Sequence, residues 1–172
     1  MPLQTLVPPA AEPISLDEAR AWLRLGHDGD DVALIPAIAG ARAAVEARTG
    51  RALVARTVRE SFAAARTAGA GSVLLTPALQ PVTALVAVTL TGPAGATSPA
   101  PAGLVTIEGG RLRLSRPVEG LTVDYVAGAA ASSSAVPPHE RVAVLEELAA
   151  LMARREAGTA PPAPLGQPEP RL

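Results

Sequence analysis

Eighteen of the 172 residues are proline, and their placement decides where regular structure can form. A proline holds φ, lacks a backbone donor and interrupts a helix interior or a central strand. Pro2, Pro8, Pro9 and Pro13 therefore make residues 1–13 an extended arm rather than a helix. Five more prolines crowd Thr159–Leu172, which has little apolar surface to bury, so residues 158–172 read as a tail that does not fold alone. Residues 14–157 remain as a single domain of ordinary size.

Inside that domain the helix signals come first. Ser15-Leu16-Asp17-Glu18 is a capping box, in which the serine caps and the glutamate reaches back. The helix it opens runs from Leu16 to Leu25, with Leu16, Ala19, Trp22 and Leu23 on one face and Gly26 at its end. Trp22, the only large ring in the helical part, is expected to be a buried anchor whose truncation costs about 3–5 kcal/mol. Asp28, Asp30 and Asp31 then suit the positive start of a second helix, which stops at Thr49-Gly50. Pro36 either marks the true start of that helix or kinks it.

From Arg51 the periodicity changes to two, predicting a long strand through Phe62. Shorter strands are expected at Ser72–Leu75, Val82–Leu90, Val105–Ile107, Arg111–Leu114 and Leu121–Val126, with Gly109-Gly110 as a hairpin turn. Thr91–Gly103 reads as an exposed loop and Gly128–Ser134 as a flexible stretch. Pro137-Pro138 opens a third helix, His139 to Ala157. Its stripe of Val142, Leu145, Leu148 and Met152 is widened by Val144 and Leu151, broad enough to touch both the sheet and a neighbouring subunit. The fold class is α+β: an N-terminal helical pair, a central antiparallel β region, a long C-terminal helix and an extended Pro-rich tail.

The chemistry is sparse. The chain has one Trp, one Tyr and one Phe, so its core rests on Leu, Val, Ile and Ala and draws part of its stability from neighbours. There is no cysteine, hence no disulfide, thiolate nucleophile or Cys-based zinc site. His27 beside Asp28 and His139 beside Glu140 lack a nucleophile in a recognisable turn. Asp28–Asp31 lacks the distal glutamate of a calcium loop, and the glycines do not form a phosphate loop. We expect no catalytic residues, no cofactor, no metal site and no enzyme activity. No stretch reaches the ~20 apolar residues that span a bilayer, and residues 1–13 lack the pattern of a signal peptide, so no membrane is expected.

All 15 basic residues are arginines, against 16 acidic ones, for a net charge of −1. Such a balance gives no global field for DNA. The arginines at 48, 51, 56, 59 and 66 are instead expected to meet acidic helix starts of an adjacent copy, packed head to tail. The residues assigned to that subunit interface are Val144, Leu148, Leu151, Arg56, Arg59, Asp17 and Asp30.

Several segments, in order, resemble the head–tail connector (adaptor) family of long-tailed phages and gene transfer agents. They are Pro13–Leu25, the acidic turn Asp28–Asp31, the helix end Ala41–Leu53, Leu121–Gly128, and Val136-Pro137-Pro138 with its helix ending Arg154-Arg155-Glu156-Ala157. The likeness spans about half the chain, and Pro13–Leu25 is its most specific block. Pro36, the absence of aromatics in the last helix and the Pro-rich tail depart from the family pattern. The resemblance implies a homo-oligomeric ring of twelve in the neck of a virion or phage-like particle, assembled in the bacterial cytoplasm. Such a ring sits beneath the portal protein, extends its channel and meets a stopper or other neck protein; DNA passes without sequence-specific binding. The family brings no catalytic residues. Its members reach toward the portal with their C-terminal parts, which assigns portal docking to Arg154, Arg155, Leu165, Arg171 and Leu172. The alternatives are another neck or tail-completion protein, such as a stopper or tail terminator, and a DNA-binding module.

Overall fold

The structure, a computed structural model, describes residues 3–26, 31–65, 71–92 and 95–158. Three helices, α1 (Leu16–Leu23), α2 (Asp31–Thr49) and α3 (Pro138–Glu156), pack on one another. The strands are β1 (Gln4–Val7), β2 (Arg56–Ala65), β3 (Val73–Leu75), β4 (Val82–Thr91), β5 (Thr97–Pro99), β6 (Val105–Glu108), β7 (Arg111–Leu114) and β8 (Val118–Ala127). They form two antiparallel sheets, ordered β1-β2-β8-β4-β5 and β3-β7-β6. The α+β class and its antiparallel β region are as expected.

Each half has its own core. Ile14, Leu34, Ile38, Val45, Leu53, Val54, Val144 and Leu148 pack together among the helices. Val58, Leu79, Leu112, Leu114, Leu121, Val123 and Tyr125 pack together among the strands. Residues 50–55 and 127–137 join the halves through backbone bonds: Ala52 N–H to Gln80 O (2.8 Å), Ala55 N–H to Ala130 O (2.8 Å) and Gly128 N–H to Pro81 O (2.9 Å). Gly128 is required at this seam. Its φ is +98°, and a Cβ there would stand 3.0 Å from the backbone of Val54 and Ala55.

The local signals hold where they are self-contained. Ser15 accepts from the Glu18 amide at 3.2 Å while Glu18 accepts from the Ser15 amide at 2.8 Å, completing the capping box. Gly50 closes α2 with φ +66° and an N–H bond to Glu46 O (2.8 Å). Gly109 and Gly110, both at positive φ, join Glu108 to Arg111 as a two-residue hairpin. Pro36 lies inside α2, past its first turn, so it does not start the helix.

Other expectations are corrected. α1 ends at Leu23, because Arg24 takes the left-handed conformation (φ 56°) two residues before Gly26. Trp22 is no buried anchor: it is 46% exposed, and Ala19 is the residue of α1 that is buried. The strand expected from Arg51 starts only at Arg56. Leu53 and Val54 are neighbours in sequence yet both enter the helical core, which an alternating strand does not allow. The arm contains β1, paired with β2, and the loop Thr91–Gly103 contains β5, paired with β4. On α3, Val142 is 40% exposed while Val144 is fully buried, so the buried stripe is shifted from the expected one.

Candidate functional site

The charged side chains of this fold are largely matched within the chain. Glu46, in the last turn of α2, is only 1% exposed. It accepts from Arg56 Nη1 (2.7 Å), Arg42 Nη1 (2.9 Å) and the Leu53 amide (2.9 Å). Arg42 also donates through Nε to Glu12 of the arm at 2.7 Å. Burial works to lower the Arg42 pKa, but the Glu12 hydrogen bond and the charges of Glu46 and Glu12 outweigh it, so its pKa is raised. Arg59 holds Asp124 with two bonds, 2.6 and 2.7 Å, and these raise the arginine's pKa. Arg20 binds Asp31 at the start of α2, and Arg141 of α3 binds Glu18 of α1.

The fold places the residues singled out from sequence in different surroundings from those expected. Val144 and Leu148 are fully covered by their own helical core and Leu151 packs against it, so the first two have no surface to offer a neighbour. Arg56 is 9% exposed and bound to Glu46, and so is likewise withdrawn. Arg59 remains half-exposed on Asp124, and Asp17 is exposed beside Arg20. At the end of α3, Arg154 pairs with Glu147, whereas Arg155 is exposed. Asp30, Leu165, Arg171 and Leu172 lie outside the described residues, as does His27.

His139 is exposed at the start of α3, and its neighbour Glu140 accepts from Arg51 Nε at 3.3 Å. An open cleft of about 540 Å³ lies at the ends of β4, β5 and β8, where Arg116 and Glu119 are the charged groups. Among the described residues no group of three or more metal-ligating side chains comes together, and no helix is long and apolar enough to cross a membrane.

Exposed apolar side chains are more informative. Val32 is 86% exposed, Ile35 60%, Val86 59% and Val7 56%. A chain that pairs its charges internally and leaves large aliphatic groups outside has surfaces suited to contact with other protein chains. Periodicity could not reveal this. Helical patterning places polar residues outward, and on α2 the two central charges point inward.

No protein-family model matches the chain, and no curated protein matches it. Solved structures do. The chain is similar to one in the neck of an empty GTA particle computed with C6 symmetry, at 28% identity and a TM-score of 0.70 over 96% of this chain and 91% of the other. It is similar to one in the virion of a native gene transfer agent (GTA) particle, at 28% identity and a TM-score of 0.72 over 95% and 90%. A third similarity is to a chain in the neck of a native GTA particle computed with C12 symmetry, at 26% identity and a TM-score of 0.64 over 96% and 88%. These likenesses agree with the head–tail connector resemblance in the sequence, and they extend over the β region as well as the helices.

Proposed function

We propose that this protein is a structural head–tail adaptor, a ring subunit of a gene-transfer-agent-like particle neck, placed between the portal protein and a stopper or other neck protein. The observation that carries this reading is the likeness over 95–96% of the chain to chains of GTA particles, including necks with six-fold and twelve-fold symmetry. A ring of twelve copies satisfies both symmetries. Such a ring extends the portal channel and lets DNA pass; a net charge of −1 supports a conduit that does not grip phosphates. The role is mechanical and assigns the chain no catalysis.

Attachment to the portal falls to the end of the chain, Arg154, Arg155, Leu165, Arg171 and Leu172. Prolines restrict the free backbone and so lower the entropy lost on docking. The test is a cryo-EM map of the particle neck, paired with particles whose chain lacks residues 159–172. The expected map shows twelve copies directly below the portal, and the truncated chain folds but is absent from the heads. Density for the chain elsewhere in the particle overturns the adaptor reading. Normal attachment of the truncated chain overturns the docking role of the tail.

A further inference from the structure

The outer face of α2 is inverted relative to an ordinary surface helix. From Val32 to Ala47 its only charged residues are Arg42 and Glu46, and both side chains are turned inward, 12% and 1% exposed. The exposed positions are Val32, Ile35, Pro36, Gly40, Ala43 and Ala47, which recur every three to four residues along one side. Two bulky aliphatic groups thus stand at one end, followed by small residues that permit close approach.

A second uncharged strip lies in the other half of the molecule. No residue of β4 is charged from Val82 to Thr91, and Thr83, Ala84, Val86 and Ala87 are exposed. The register of β4 against β8 shifts between Val82 and Ala84 and again between Leu85 and Ala87. The second irregularity falls at Val86, which projects as a 59% exposed apolar knob. Charge depletion distinguishes the centre of a protein interface from the remaining surface. A closed ring also requires that each copy carry two different, mutually complementary patches.

Resting on the ring reading above, we propose that the outer face of α2 on one copy packs against the β4 strip of the next. The two strips belong to separate cores, match in lacking charge, and supply the heterologous pair that cyclic symmetry demands. Val86 would fill the space over the small residues Gly40 and Ala43, while Val32 and Ile35 would cover the remaining sheet face.

The absence of native cysteine makes a clean test available. Particles are assembled from the full chain carrying Ala43→Cys and Val86→Cys and treated with a flexible bis-maleimide. A covalent ladder extending beyond the dimer is expected, whereas either single variant gives none. Ile35→Asp and Val86→Asp, at exposed positions, should each lower incorporation into necks about tenfold or more while leaving the circular-dichroism melt unchanged. Incorporated double-cysteine chains without a ladder, or normal incorporation of either aspartate variant, overturn this interface and leave the ring reading standing. Should the cysteine variant not enter particles, the aspartate variants decide. Unaltered chain absent from the neck would instead overturn the adaptor reading itself.

Discussion

Tyr125 shows how a single residue reports on the β core. It is fully buried on β8, and its hydroxyl donates to Glu60 Oε2 at 2.8 Å; Glu60 in turn accepts from the Ala78 amide at 3.0 Å. Burial pushes the phenol far above its ordinary value of about 10, and the Glu60 hydrogen bond and charge push the same way. A folded-state value above the unfolded one stabilises the protein fully below about pH 10 and is lost as the pH rises beyond it. Because Tyr125 is the only tyrosine, phenolate absorbance should stay absent in alkali until the chain unfolds, and Tyr125→Phe should flatten the fall in stability. A phenol that titrates normally in folded protein would contradict this. Trp22 teaches the opposite lesson: spacing put it on the face of Leu16 and Ala19, yet packing leaves it 46% exposed. Ala19, with Leu16 and Leu23, meets the helical core, and at 100° per residue Trp22 falls at the edge of that face.

At the scale of elements, α1 depends on its start. It has only eight residues, too few to be stable in isolation, so tertiary contacts and its cap hold it. Ser15→Ala removes half of the capping box and should cost about 1 kcal/mol, measured as a shift of the urea midpoint. An unchanged midpoint would mean that packing of Ala19 and the Arg141–Glu18 ion pair suffice. This cap was legible in four consecutive letters because both its bonds are local. The β6–β7 hairpin was legible for the same reason, since two glycines supply the positive φ its turn requires. β1 and β5 were not legible. Their partners lie 55 and 10 residues away in the register Gln4↔Arg59 and Thr89↔Pro99, and each is short and exposed, without a buried alternating face.

The whole molecule is two cores held by one polar seam. Glu46 joins α2 to Leu53 and to Arg56 at the head of β2, and through Arg42 reaches Glu12 of the arm. Removing one partner of a buried pair leaves the remaining charges uncompensated, so Glu46→Ala should cost about 3–5 kcal/mol. The chain provides a probe in each half, Trp22 on α1 and Tyr125 on β8. In the unaltered protein their urea transitions should coincide, as expected when one cooperative unit unfolds. In Glu46→Ala the two midpoints should separate. Coincident midpoints in the variant would show that the backbone bonds of residues 50–55 and 127–137 couple the halves without it.

By itself the sequence determined what depends on near neighbours: the cap that starts α1, the glycine stop of α2, the hairpin, the α+β class and the ordered blocks that resemble head–tail connectors. Each arises from dihedral limits or bonds spanning a few residues, and no distant part of the chain can override them cheaply. Only the tertiary structure decided which faces are inside. Arg42 and Glu46 sit at positions that periodicity alone would send to solvent. They turn inward because Glu12, Leu53 and Arg56 converge on them from 30, 7 and 10 residues away. Val144 and Leu148 pack against Leu34, Ile38 and Val45 of α2 within the same core, while Val32 and Ile35 on another side of that helix stay exposed. Burial is a property of the assembled contacts, and a one-dimensional pattern records only which residues could take part in them.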